Sequence, residues 1–145
     1  MYKRILVAIE NSSADRAILD HVAALGRLTG ASLLLAHVAD GWAARHYDEL
    51  QLRESEEMIA DRDYLSRLQA ELQAEGLEVE TCLRTGDPAR ELVKLVKEQE
   101  VDLLAMATHG HRGVADVIYG STVNHVRHNV AVPVLLLKAP PQAAL

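Results

Sequence analysis

Two glycines ten residues apart, and the basic cluster beside the first, mark where this chain can do chemistry. In the stretch 107–122, "ATHGHRGVADVIYGST", Gly110 and Gly113 sit among His109, His111 and Arg112, and Gly120 is followed by Ser121 and Thr122. Glycine lets a backbone N–H turn toward a ligand with no Cβ in the way. If Gly120, Ser121 and Thr122 open a helix, they offer unpaired N–H groups and the positive end of its dipole to an anion. The two hydroxyls can donate to phosphate oxygens, and Arg112, flanked by His109 and His111, can add positive charge. The competing reading is a connection in which Ser121 only caps a helix and the glycines only shape a turn. The residue types alone leave both open.

Several phosphate chemistries are excluded. No Gly-Lys-Ser/Thr is present and no GxGxxG follows the first strand-like run. The segment "ENSSAD" (10–15) lacks the glycine of a flavin-phosphate loop. A phospho-acceptor domain would need an acidic pair after the first strand and an Asp after the third, where Glu10 stands alone and Arg84-Thr85-Gly86 occurs. His109 and His111 have no carboxylate or cysteine close in sequence to complete a metal set, so no protein-held metal is expected, and any Mg²⁺ would arrive with phosphates. His109 and Glu10 are the candidate general bases near the glycine loop. Neither shows an orienting partner, so catalysis, if any, is expected to be slow.

The elements that must position these residues alternate. "YKRILVAI" (2–9), "ASLLLAHVAD" (31–40), "GLEVETCLRTG" (76–86), "VDLLAMA" (101–107) and "AVPVLLLK" (131–138) have strand character. Between them lie four helical patterns. The first opens at Ser12 or Ser13, with Asp15 or Asp20 nearby, and Gly30 can close it; Ala14, Ile18, Val22 and Leu25 mark its inner face. The second runs from about Glu54 to Glu75, with Met58, Leu65, Leu68 and Leu72 inward. The third starts at Asp87-Pro88, a strong helix start, and the fourth spans 120–130. Apolar strands alternating with helices predict an α/β, doubly wound, Rossmann-like domain with a five-stranded parallel sheet in the order 3-2-1-4-5 and helices on both faces. Ligands in such folds bind at the carboxyl ends of the strands where strand order reverses. The loops there are Glu10 to Ser13 and Thr108 to Tyr119, so the glycine stretch falls where the architecture expects a site.

Composition bounds the rest. The chain has 145 residues, 49% apolar and 25% charged, which suits one domain over 1–138 with a flexible tail at 139–145. It has no Phe and one Trp, so the core must be aliphatic. A net charge of -6 argues against nonspecific nucleic-acid binding. Cys82 is the single cysteine, leaving no intrachain disulfide; no membrane span or leader is legible, and a cytoplasmic protein is expected. Trp42 and Tyr47 would border the site and either lid a base or anchor the next helix. The last strand is a long apolar edge, a hazard unless a second copy covers it, which predicts a homodimer through Val134 to Leu137.

Over nearly its whole length the sequence resembles the universal stress protein family, in its ATP-binding subgroup. The resemblance rests on "YKRILVAIENSSADRAI", "LLLAHV", "VDLLAMATHGHRG" and "YGSTVNHVRHNVAVPVLLLK". Nucleotide-binding members carry Gly-x2-Gly-x9-Gly-Ser/Thr after the fourth strand. Here Gly110-x9-Gly120-Ser121 is kept, and the first glycine falls on Ala107. The resemblance further implies that Glu10, where the family has Asp, contacts the nucleoside and that the Val38 backbone packs on adenine. The site it implies comprises Ala8, Ile9, Glu10, Val38, Ala107, Thr108, His109, Gly110, Arg112, Gly113, Gly120, Ser121 and Thr122. It implies a dimeric, stress-related regulator that binds ATP, AMP or ADP, with Mg²⁺ accompanying the phosphates. The alternatives are a slow ATPase on the same fold, or a nucleotide-free interaction module acting on a transporter or stress regulator.

Overall fold

The computed structural model describes residues 1–40, 51–108 and 114–140, of which 40, 51–55 and 114–120 are described by backbone alone. Strands β1 (Arg4–Ala8), β2 (Ser32–Asp40), β3 (Val79–Gly86), β4 (Leu103–Thr108) and β5 (Val134–Lys138) alternate with helices α1 (Ala14–Thr29), α2 (Gln51–Ala74), α3 (Pro88–Glu98) and α4 (Val114–Asn129). The strands form one parallel sheet in the predicted order β3-β2-β1-β4-β5. Among the described residues, no helix is long and apolar enough to cross a membrane.

The sheet is apolar on both faces, and strand alternation splits its side chains into two clusters. On the face under α1 and α2, Ile5, Val7, Ile9, Leu33, Leu35 and Leu103 meet Ile18, Leu19, Val22, Leu65, Leu68 and Leu72. On the other, Leu6, Leu34, Ala36, Leu104 and Met106 meet Leu92, Leu95 and Val96 of α3 and Val126 of α4. Leu25 and Met58, expected inward, are half-buried.

Helix ends follow local chemistry in two places. Gly30 closes α1 in the left-handed conformation, φ 76°, its N–H donating to the Gly26 carbonyl. Asp87 caps α3 by accepting from the Arg90 N–H at 3.0 Å, with Pro88 in the first turn. At the start of α1 the structure chooses between the two expected serines: Ser13 is the N-cap residue but makes no side-chain cap bond. Ser12 Oγ instead accepts from the Ala14 N–H at 3.2 Å.

The start of α4 is a correction. It begins at Val114, six residues before Gly120. No proline interrupts the segment, and an interior glycine costs a helix only about 1 kcal/mol, so the run 114–119 recruits Gly120 rather than waiting for it. At the other end, Ala139 is buried and its N–H donates to the Thr108 carbonyl at 2.8 Å, so packing extends one residue past the predicted domain end.

Candidate functional site

A cavity of about 230 Å³ opens at the carboxyl ends of β1, β2 and β4, on the α3/α4 face of the sheet. It is lined by Ala8, Ile9, Glu10, Ala36, His37 and Val38 on one side. Pro88, Leu92, Met106, Ala107 and Thr122 complete it.

Side-chain volume explains why it lies there. On this face β1 presents Leu6 and then Ala8, and β2 presents Leu34 and then Ala36. Parallel pairing sets Leu6 beside Leu34 and Ala8 beside Ala36. Two large residues fill the lower layer and two alanines leave the upper one unfilled. A close-packed interior tolerates such a void only where a ligand or solvent enters. The opposite face keeps bulk to the end of β1, with Ile5, Val7 and Ile9 all buried.

The β1–α1 loop at the rim is held by a buried carboxylate. Asp15, 1% exposed, accepts from the Glu10 N–H at 2.9 Å, the Asn11 N–H at 2.8 Å and the Ser12 N–H at 3.1 Å. Tyr64 of α2 donates its hydroxyl to the same carboxylate at 2.7 Å. Burial, then this bond and the Asp15 charge, push the Tyr64 phenol well above its ordinary range. These three successive N–H groups already serve an internal anion, so this loop holds Glu10 in place rather than cradling a phosphate. The Glu10 carboxylate accepts from Ser12 Oγ at 3.0 Å.

A second polar link involves His37. Its Nδ1–H donates to the Ile9 carbonyl at 2.7 Å, and its Nε2 stands 3.3 Å from Asp61 Oδ2 on α2. Asp61 Oδ1 accepts from the Asn11 amide at 3.0 Å.

Of the predicted site residues, the structure brings Ala8, Ile9, Glu10, Val38, Ala107 and Thr122 together around the cavity. Thr108 ends β4 and is half-buried, and Ser121 is exposed; neither is among the lining residues named above. His109, Gly110, Arg112 and Gly113 lie outside the described residues, as do His111, Trp42 and Tyr47. Gly120, Ser121 and Thr122 do not open a helix. They fall in its second and third turns, and the first-turn N–H groups of α4 belong to Val114 to Val117. The expectation that these three residues open the helix is therefore corrected.

Ala36, His37, Pro88, Leu92 and Met106 were not anticipated. The Leu-x-Ala pattern of 6–8 and 34–36 is the signal that could have exposed Ala36.

A doubly wound parallel sheet with a small-residue cleft at its switch point defines the class: an α/β domain with an open cleft at the strand ends. The chain belongs to the universal stress protein family, whose model matches residues 1–138. Universal stress protein MJ0577 of Methanocaldococcus jannaschii is 26% identical over 95% of this chain and 96% of its own. A solved structure of MJ0577 superposes with a TM-score of 0.85 at 25% identity, covering 99% of each chain. Similar folds occur in an Archaeoglobus fulgidus universal stress protein solved with dAMP, and in a universal stress protein solved with cAMP. The first has a TM-score of 0.66 at 21% identity over 94% of this chain and 98% of that one. The second has a TM-score of 0.68 at 20% identity over 94% and 96%.

Proposed function

We propose that this protein binds an adenine nucleotide in the cleft at the ends of β1, β2 and β4 and acts as a regulator. The observation that carries the reading is the Ala8–Ala36 gap, part of a largely apolar cleft that Glu10 also lines. Nucleotide complexes of two proteins of the same fold, with dAMP and cAMP, support it. The cavity is smaller than the roughly 300–1,000 Å³ that encloses a whole ligand, which suits a base inside and phosphates outside. Val38, Ala36, Leu92 and Met106 would hold the base, and Glu10 would accept from sugar hydroxyls. Thr122 and the segment with His109, Gly110, Arg112 and Gly113 would meet the phosphates, ATP bringing Mg²⁺ with it. Titration calorimetry with ATP, AMP and FMN tests the reading: heat with the adenine mononucleotides is expected, and none with any of the three refutes it.

A second copy would pair along β5. This strand is the sheet edge, and Leu136 is 39% exposed on it. Such a dimer fits a regulator that acts through a protein partner such as a transporter. Sedimentation velocity of Leu136→Lys tests it, with a shift to monomer expected and an unchanged dimer refuting the interface.

One observation favours a nucleotide-free interaction module instead: α4 takes Gly120 to Thr122 into its interior and away from an anion-binding helix end. The same calorimetry separates the two.

A further inference from the structure

We infer that Asp61 of α2 is a positioning residue that presents the Glu10 carboxylate to the sugar of the bound nucleotide, an inference that rests on the nucleotide reading. Asp61 does not line the cavity, yet it reaches both sides of the short segment that carries Glu10. On one side Asp61 Oδ1 accepts from the Asn11 amide at 3.0 Å. On the other, Oδ2 stands 3.3 Å from His37 Nε2, and His37 Nδ1–H donates to the Ile9 carbonyl at 2.7 Å. Ile9 and Asn11 are the immediate neighbours of Glu10. The carboxylate on α2 thus fixes the residue after Glu10 directly, and it stands beside the imidazole that holds the peptide before it.

The local conformation shows why this needs an anchor. Asn11 has φ 61°, in the left-handed region that non-glycine residues enter only at a cost. Asn tolerates it better than most, and its side chain is spent on Asp61 rather than on its own backbone. The turn places the Glu10, Asn11 and Ser12 N–H groups on Asp15, and Ser12 Oγ on Glu10 Oε2 at 3.0 Å. Tyr64, one helical turn from Asp61 on the same face of α2, locks Asp15 at 2.7 Å. A loop wanted only as a connection has no need of a strained residue tied to a distant helix. A carboxylate that must meet two vicinal hydroxyls does, because hydrogen bonds to a charged acceptor are lost with small misplacement.

The test compares ATP with 2′,3′-dideoxy-ATP, which keeps base and phosphates but offers Glu10 nothing. Wild-type protein is expected to favour ATP by about tenfold or more, the worth of a hydrogen bond to a charged group. Asp61→Leu is expected to bring ATP down to the dideoxy level and leave dideoxy-ATP affinity unchanged. Asn11→Gly, which suits the left-handed φ and removes the amide anchor, is expected to lose part of the preference in a fold-compatible background. Asp61→Asn, which retains an acceptor oxygen, is expected to restore part of it. A preference for ATP intact in Asp61→Leu overturns the inference and leaves the nucleotide reading standing. Equal losses for both ligands reduce Asp61 to a structural residue and also overturn it. Equal wild-type affinity for the two ligands removes the sugar contact at Glu10, and with it the role of Asp61. Wild-type protein that binds neither ligand brings down the nucleotide reading itself.

Discussion

The two faces of the sheet share strands but end differently. Under α1 and α2, β1 stays bulky to its last turn, and the polar groups at that end are bonded to one another through Asp15, Tyr64, His37 and Asp61. Under α3 and α4, the same strands shrink to Ala8 and Ala36 and leave a cavity. The lesson is that the site is made by subtraction on one face and held rigid by completion on the other. Adjacent residues of one strand, such as Leu35 and Ala36, serve opposite ends.

Reciprocal changes at those two positions should break the comparison most visibly. Leu35→Ala removes volume from the filled face, and urea unfolding is expected to show a loss of about 2–5 kcal/mol. Ala36→Leu adds volume toward the void, and a loss below about 1.5 kcal/mol is expected. Equal penalties would mean that the two faces are packed alike. The next effect is Asp15→Ala, which strands three N–H groups and a phenol hydroxyl. It is expected to cost roughly 2–3 kcal/mol in the same assay, and a change under about 0.5 kcal/mol would show that water replaces the carboxylate freely. The smallest is a pH effect. Tyr64 holds its proton more tightly folded than unfolded, where its pKa is about 10. Its contribution is complete below that pH and is lost as pH rises further, because the unfolded chain releases the proton first. Stability should fall above pH 10, and Tyr64→Phe should flatten that part of the profile; an identical slope in the variant would remove Tyr64 as its source.

Much of the frame was legible because its signals are local. Apolar runs bounded by Gly, Asp and Pro located all five strands, Asp87-Pro88 announced α3, and Gly30 closed α1. The resemblance named Ala8, Glu10, Val38 and Ala107 as site residues, and they meet around one cavity. Other features were hidden for physical reasons. Gly120 looked like a helix start, but the favourable run before it carries α4 back to Val114. Asp15 looked like an ordinary first-turn acid, whereas its partners are the backbone behind it and a tyrosine 49 positions away. His37 stood as a lone polar residue in an apolar run, and only the packing of α2 supplies Asp61. The cavity was written in the Leu-x-Ala pattern of β1 and β2, but its meaning depends on a register that brings Ala8 and Ala36 side by side.

The central claim is that this unfilled layer is the nucleotide's seat, and calorimetric titration of ATP into wild-type and Ala36→Leu protein tests it most directly. Binding by the wild type, with affinity reduced at least about tenfold in a variant that unfolds at nearly the same urea concentration, is the predicted result. Equal ATP affinity in the two proteins would contradict it.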